Sequence, residues 1–167
     1  MNDDLFKDMR TLLKHAIMSE IEGYTFYDLL SREAENKEAQ KRLEGLRDDE
    51  KRHREILKNL FEKHVGGTLG QLPLSGITPL AKAFDAGKLK KFNSEIEYIN
   101  LAIDAELAAT QFYKEGATKV DDAEFKDVLT ELSEEENGHY EILMAEREAL
   151  AGNYYWFSLD DSAPLED

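Results

Sequence analysis

A Glu-x-x-His pattern occurs at Glu50-Lys51-Arg52-His53-Arg54-Glu55-Ile56-Leu57 and returns at Glu136-Asn137-Gly138-His139-Tyr140-Glu141-Ile142-Leu143. Residues three apart lie on one face of an α-helix, so each carboxylate can reach the same point in space as its imidazole. Such a pair forms half of a metal site suited to iron, manganese or zinc. Two halves, with single glutamates at matching places upstream, predict a complete dinuclear site.

The two patterns belong to an internal repeat. When the chain is shifted by 86 positions, its two halves correspond without a gap. Further matched pairs are Ala16 with Ala102, Ile17 with Ile103, Glu20 with Glu106, Phe26 with Phe112, Tyr27 with Tyr113, Leu43 with Leu129 and Leu46 with Leu132. Each half has the pattern of a helical hairpin, and two hairpins packed with pseudo-two-fold symmetry make a four-helix bundle.

Helical periodicity and capping residues give bounds for the four helices. The predicted helices run from Asp3 (capped by Asn2 or Asp3) to about Ala34, from Asn36 to Val65, from the Ser94–Glu97 capping box to about Gly116, and from Asp121 to about Ala151. Residues 66 to about 92 form one long connection, with a short helix predicted at Leu80–Phe84. A long crossover of this kind makes the second and third helices of a bundle run parallel.

The upstream glutamates sit near the apolar face of their helices. Glu20 lies three positions after Ile17, and Glu106 lies between Ile103 and Leu107. Four buried carboxylates would repel one another and lose their hydration, which is costly for every unpaired ion. Two divalent cations would cancel the four charges, so we expect a metal site rather than a solvated charged face.

A single Glu-x-x-His pattern is weak evidence in this chain. Glutamate is so common that any histidine has roughly a one in eight chance of one three residues before it. His15 and His64 lack such a partner, and we expect them at the surface or at the edge of the core. Two copies at equivalent places of a repeat are much harder to obtain by chance.

The composition limits the classes of function. The chain has 167 residues, no cysteine and a formal net charge of −15. The lack of cysteine excludes disulfides, iron–sulfur clusters and thiol catalysis, and the acidic balance argues against nucleic acid. No segment resembles a secretory signal or a membrane span, so we expect a cytoplasmic protein.

The length favours one domain followed by a tail. We expect residues 1–151 to form the bundle. Residues 152–167 contain Tyr154-Tyr155-Trp156-Phe157, a segment too aromatic to be left in water. We expect this tail to pack on the bundle or on a second subunit.

The motif set resembles the rubrerythrin branch of the ferritin-like di-iron carboxylate proteins, from about residue 10 to residue 150. The resemblance implies an all-α ferritin-like four-helix bundle that holds two iron ions, with manganese as an alternative metal. It implies that the metal ligands are Glu20, Glu50, His53, Glu106, Glu136 and His139. In this arrangement Glu50 and Glu136 bridge the two irons. Glu20 and His53 complete the coordination of one iron, and Glu106 and His139 complete that of the other. Tyr27 and Tyr113 look like hydrogen-bond donors to ligand carboxylates, although ordinary core aromatics would have the same pattern.

The resemblance also implies a non-haem di-iron oxidoreductase that reduces peroxide or dioxygen. An external donor such as a separate rubredoxin or flavoprotein would supply the electrons, and a homodimer is expected. Two features depart from the family. Rubrerythrins usually carry an extra glutamate one turn after the third-helix ligand, where this chain has Ala109, with Gly23 as its repeat mate. We also expect the cysteine-bearing rubredoxin-like domain of the family to be absent, because the chain contains no cysteine. The small residues either leave room for an oxidant or let the helices approach closely.

Two other functions fit the same residues. A ferroxidase or iron-handling protein would use the same ligands but release ferric iron. An acidic helical interaction module would hold a structural metal or none, and it would have no turnover.

Overall fold

The computed structural model describes residues 3–85, 88–89 and 95–152. This part of the chain contains four long helices, which are α1 (Met9–Glu33), α2 (Lys37–His64), α3 (Glu95–Lys119) and α4 (Ala123–Leu150). Short 3-10 helices span Asp3–Phe6 and Pro79–Ala83, and the two-residue strands β1 (Phe84–Asp85) and β2 (Lys88–Leu89) pair antiparallel. The predicted all-α fold of four helices is confirmed. None of the described helices is long and apolar enough to cross a membrane.

The first long helix begins later than the sequence predicts. Asp8 is the N-cap of α1, and its carboxylate accepts a hydrogen bond from the backbone N–H of Thr11 at 2.8 Å. This bond satisfies one of the N–H groups that a helix start leaves without an intrahelical partner. The predicted start at Asp3 was wrong, because Asp3–Phe6 forms a separate 3-10 helix whose Phe6 ring stacks on Phe112.

The second helix has the predicted bounds. Asn36 accepts hydrogen bonds from the backbone N–H groups of Glu38 and Ala39 at 2.9 and 3.0 Å, as expected of an N-cap. At its other end, Gly66 and Gly67 adopt φ values of 74° and 70°, a left-handed conformation that glycine adopts without steric cost. The paired glycines therefore end α2.

The third and fourth helices differ from prediction at their junction. α3 continues through Gly116 to Lys119, because this glycine serves close packing; a Cβ there would lie 3.2 Å from Leu129 Cδ1 of α4. Asp122, rather than the predicted Asp121, caps α4 and accepts from Phe125 N at 2.8 Å. The capping residue predicted for α3, Ser94, lies outside the described residues.

The apolar core consists of two clusters separated by a polar layer. One cluster contains Phe26, Leu30, Leu43, Leu46, Tyr98, Ile99 and Leu143, and the other contains Leu12, Leu13, Ile17, Leu57, Phe61, Phe112, Phe125 and Leu129. Along α2 and α3 the chain passes from the first cluster to the second, whereas along α1 and α4 it passes in the opposite direction. α2 and α3 therefore run parallel, as the long crossover predicted.

The crossover between α2 and α3 is fastened to α1. Ile77 N donates to Ser19 Oγ at 2.8 Å, and Gly76 N donates to the carboxylate of Glu22. The predicted short helix is present as the 3-10 helix Pro79–Ala83, in which Leu80 is buried. The predicted packing of the aromatic tail concerns residues outside the described ranges and stays a prediction.

Candidate metal centre

The polar layer of the bundle contains all six residues predicted as metal ligands. Each helix contributes a glutamate, and α2 and α4 also contribute a histidine one turn further along. All six side chains are buried: Glu20, Glu50, His53, Glu106, Glu136 and His139. Leu107, which we expected in the core beside Glu106, is instead 40% exposed. The carboxylate of Glu106 nevertheless faces inward.

The six side chains form two overlapping groups. One consists of Glu20, Glu50, His53 and Glu136, and the other of Glu50, Glu106, Glu136 and His139. In each group, one ligand atom from every member lies within 4.8 Å of the others. The two glutamates common to both groups are the residues expected to bridge two metals.

The Nδ1 atoms of both histidines face the carboxylates of the layer. His53 Nδ1 lies 3.2 Å from Glu136 Oε1 and 3.4 Å from Glu20 Oε2. His139 Nδ1 lies 3.0 Å from Glu136 Oε2 and 3.3 Å from Glu50 Oε1. Both imidazoles therefore present the same nitrogen to the carboxylates, and their rings stack with centroids 5.6 Å apart.

The Nε2 atoms face two further carboxylates that the sequence analysis missed. His53 Nε2 lies 2.8 Å from Glu135 Oε2, and His139 Nε2 lies 3.1 Å from Asp49 Oδ2. A metal-binding histidine usually donates its other ring N–H to such an acceptor, which fixes its tautomer. The available signal was positional, since Asp49 and Glu135 are repeat mates and each directly precedes a glutamate of the layer.

Two buried tyrosines reach across the bundle to the glutamates. Tyr27 of α1 donates to Glu106 of α3, and Tyr113 of α3 donates to Glu20 of α1. Burial, together with the nearby carboxylates, raises the pKa of both phenols well above 10.0, so both keep the proton that they donate. Each tyrosine therefore holds a carboxylate of the other hairpin. The resemblance implied a donor to a ligand carboxylate, and the structure shows which carboxylate each tyrosine reaches.

Burial and the closeness of the charged groups shift the pKa values of several residues in the layer. Burial, followed by the charges of Glu20 and Glu106, raises the pKa of Glu136 to about 7. Burial and the charge of Glu136 likewise raise the pKa of Glu50. Burial lowers the pKa of His53, but the adjacent carboxylates of Glu136 and Glu20 outweigh this effect and raise the pKa to about 12. The directions of these shifts favour protons on His53 and on the two shared glutamates, which would offset part of the negative charge of the layer.

The donor set fits two divalent cations. Glu20 Oε2 and Glu50 Oε1 are buried and make no hydrogen bond of regular geometry among the described residues, although His53 Nδ1 and His139 Nδ1 lie 3.4 and 3.3 Å from them. Unsatisfied buried carboxylate oxygens are uncommon. A cation bound between the carboxylates would satisfy both atoms and replace the protons. Oxygen and imidazole ligands suit iron and manganese, so the layer fits a di-iron or dimanganese centre.

Gly23 and Ala109 have different surroundings. A Cβ at Gly23 would lie 2.9 Å from Glu50 Cδ, so the Glu50 side chain fills the space that the glycine leaves. Ala109 lines a cavity of about 10 Å³ together with Thr78, Leu80, Ala105 and glutamates of the layer. The lack of a side chain at Gly23 thus allows Glu50 to lie close to α1, and Ala109 borders a very small cavity.

The two remaining histidines lie apart from the layer. His15 is half-buried, and His64 stacks on Phe125 at the end of α2. His64 Nε2 lies 3.5 Å from Glu124 Oε2, but Lys63 Nζ already pairs with both oxygens of that carboxylate. Neither histidine contributes to the buried groups.

Comparison with solved structures supports the ferritin-like four-helix bundle. A hypothetical protein from Pyrococcus furiosus is 26% identical over 92% of this chain and 94% of its own, with a TM-score of 0.76. A dodecameric thioferritin, the bacterioferritin-related protein of Bacteroides fragilis, is 18% identical over 87% of this chain and 88% of its own, with a TM-score of 0.67. KatB, a manganese catalase from Anabaena, is 20% identical over 90% of this chain and 80% of its own, with a TM-score of 0.63.

The sequence comparisons address the family directly. No curated protein matches this chain in a sequence search. The family model described as Rubrerythrin matches residues 11–147, which include every residue of the buried layer, α2 and α3 in full, and all but the outer ends of α1 and α4. A match over this span accounts for the repeat, the crossover and the paired histidines together, and the chain therefore belongs to the rubrerythrin family.

Proposed function

We propose that this chain is a non-haem di-iron oxidoreductase of the rubrerythrin type, which reduces peroxide or dioxygen with electrons from an external donor. The observation that carries the proposal is the pair of overlapping groups that share Glu50 and Glu136. A pair of shared carboxylates favours two adjacent cations over two independent sites. In this proposal Glu20 and His53 complete one site, and Glu106 and His139 complete the other.

Two ferrous ions would together supply the two electrons that reduction of a peroxide requires. The residues of the chain orient the ligands for this reaction. Tyr27 and Tyr113 hold the carboxylates of Glu106 and Glu20 through their phenolic protons. Because each tyrosine comes from the opposite hairpin, the hydrogen bonds also hold α1 and α3 at a fixed separation beside the site. We propose them as positioning residues.

The space beside the carboxylates favours a small substrate. The cavity of about 10 Å³ has roughly the size that a single water molecule requires. Leu80 of the crossover and Ala109 of α3 close it with buried apolar side chains. An organic substrate would need a large opening, whereas dioxygen or hydrogen peroxide needs only a small adjustment.

The metal and the assembly are also proposals. We propose iron as the physiological metal and include manganese in the test, since one structural neighbour is described as a manganese catalase. We propose a homodimer, and the neighbour described as dodecameric shows that this fold supports self-association. Light scattering coupled to gel filtration tests the assembly.

The test is an anaerobic titration followed by oxidation. The protein is loaded with ferrous or manganous ions, the number bound per chain is counted, and hydrogen peroxide or dioxygen is added while near-ultraviolet absorption and oxidant consumption are recorded. We expect two ions per chain, and with iron a ferric absorption that disappears on reduction and returns with fresh oxidant. Glu136→Gln should abolish the cycle, whereas Glu131→Gln, an exposed change on the same helix, should preserve it.

The possible results separate the competing functions. Uptake of iron beyond two per chain, without repeated reduction of the oxidant, would favour a ferroxidase. Binding of two ions without any oxidation would favour a structural metal in an interaction module. Failure to bind any ion would refute the proposal.

A further inference from the structure

The two carboxylates behind the histidines meet at a single arginine. Arg52 Nη2 lies 3.2 Å from Asp49 Oδ1, and Arg52 Nη1 lies 3.3 Å from Glu135 Oε1. Arg52 Nη2 also donates to Glu135 Oε2, the oxygen that contacts His53. The planar guanidinium therefore connects the outer partners of both imidazoles.

This bridge crosses between the hairpins. Arg52 and Asp49 belong to α2, whereas Glu135 belongs to α4. His53 of α2 is backed by the carboxylate from α4, and His139 of α4 is backed by the carboxylate from α2. A displacement of Arg52 would consequently alter the surroundings of both histidines.

The arginine breaks the symmetry of an otherwise paired arrangement. Asp49 and Glu135 are repeat mates, but the mate of Arg52 is Gly138. A Cβ at Gly138 would meet nothing within 4 Å, so the space there is open. One half of the repeat thus supplies the cation for both carboxylates.

We propose that Arg52 is a positioning residue shared by both halves of the metal centre, where it holds Asp49 and Glu135 in place to orient His53 and His139. The inference rests on the proposed function, because it requires that the two histidines bind metal. With the proton on Nε2 donated to a fixed carboxylate, the lone pair of Nδ1 is directed to the interior. The arginine holds both acceptors in place, and so directs both Nδ1 atoms for metal binding.

A purely structural salt bridge would behave differently. The Arg52 side chain is 47% exposed, and exposed ion pairs contribute little to folding stability. If the bridge served stability alone, its loss would slightly lower the melting temperature and leave the metal affinities unchanged. Our proposal predicts weaker metal affinities and a nearly unchanged melting temperature.

The test compares Arg52→Gln with Lys51→Gln by calorimetric and optical titration with Co²⁺. Lys51 is the exposed neighbour on the same helix, so its variant removes an equal charge without touching the bridge. Loss of a partner behind a metal-binding histidine weakens metal affinity by about 10–100-fold. We expect about a tenfold loss at both cobalt sites in Arg52→Gln, a nearly unchanged melting temperature of the metal-free protein, and wild-type affinities in Lys51→Gln.

The repeat provides a rescue experiment. In the double variant R52G/G138R the two repeat mates are exchanged, and the pseudo-two-fold relation places the new arginine one turn from Glu135 and opposite Asp49. We expect the exchange to restore most of the cobalt affinity lost in Arg52→Gly. Rescue from the other helix would demonstrate that the guanidinium, rather than the identity of residue 52, is required.

Each result has a defined meaning. Wild-type protein that fails to bind two Co²⁺ ions per chain would refute the proposed function, and this inference with it. Two cobalt sites in the wild type with unchanged affinities in Arg52→Gln would overturn the inference alone. A loss of cobalt affinity at only one site would also overturn the inference, because the shared role of Arg52 requires both sites to weaken. An equal loss of cobalt affinity in Lys51→Gln would overturn it as well, because the effect would then not be specific to Arg52.

Discussion

Replacing Gly23 with alanine adds one methyl group next to the carboxylate of Glu50. Gly23 is buried inside α1, and the new Cβ would lie 2.9 Å from Glu50 Cδ and closer still to Oε2. The carboxylate would have to withdraw by about 1 Å to regain ordinary van der Waals contact. Because Glu50 belongs to both buried groups, this displacement would disturb both proposed metal positions.

The substitution has two opposing effects on stability. Alanine is favoured over glycine inside a helix by about 1 kcal/mol, which stabilises the metal-free protein. Displacement of a shared ligand should weaken metal binding at least about tenfold, which corresponds to ~1.4 kcal/mol. At a saturating metal concentration, the stabilisation grows with the logarithm of the affinity, so the stabilisation gained on metal loading should shrink by at least this amount.

Urea unfolding with and without Mn²⁺ measures both effects. Gly45→Ala is the matched control, since Gly45 is exposed on α2 and a Cβ there would meet nothing within 4 Å. We expect Gly45→Ala to raise the free energy of unfolding by about 1 kcal/mol with and without Mn²⁺. We expect Gly23→Ala to be more stable than the wild type only in the absence of Mn²⁺. If the free energy of unfolding rose equally in both variants, with and without Mn²⁺, Glu50 would not be a metal ligand and the reasoning would be refuted.

Three further predictions concern the surroundings of the buried layer. Tyr27→Phe removes the donor to Glu106 and should cost about 1.5–3 kcal/mol of unfolding free energy, measured by chemical denaturation; an unchanged value would exclude a stabilising bond. Burial raises the pKa of Glu22 above 4.5, so its ionised form costs stability as the pH rises through the folded-state pKa. Glu22→Gln should therefore stabilise the protein more at pH 7 than at pH 4, and melting curves that shift equally at both pH values would contradict this. A Cβ at Gly76 would lie 2.6 Å from the backbone Cα of Ser19, so Gly76→Ala should push the crossover away from α1. We expect the free energy of unfolding to fall by about 1–3 kcal/mol and proteolysis of the crossover to increase. Wild-type stability would instead show that the loop can move freely.

The repeat made much of the site predictable. Glu50 with His53, and Glu136 with His139, are related by local helical geometry, which depends only on residue spacing. The shift of 86 positions then paired Glu20 with Glu106. The structure brings these six side chains together, although their role as metal ligands stays a prediction until metal binding is measured.

The surroundings of the six residues were less predictable. Asp49 and Glu135 are marked only by their matching places in the repeat, and nothing marks Arg52 in a chain so rich in charged residues. Their contacts depend on the distance between α2 and α4. The start of α1 was missed for a related reason, since several acidic residues compete as caps and the packing of Phe6 on Phe112 favours the later one.

The sequence by itself determined four amphipathic helices, their arrangement as two repeated hairpins and the level at which charged side chains interrupt the apolar core. Helical spacing fixes these features, because neighbours three or four residues apart share a face whatever the rest of the chain does. The tertiary structure decided that Tyr27 meets Glu106 rather than Glu20 and that the Glu50 side chain fills the space at Gly23. It also decided that one arginine contacts the carboxylates behind both histidines. These contacts join residues far apart in sequence, and only the packing of whole helices sets the distances between them.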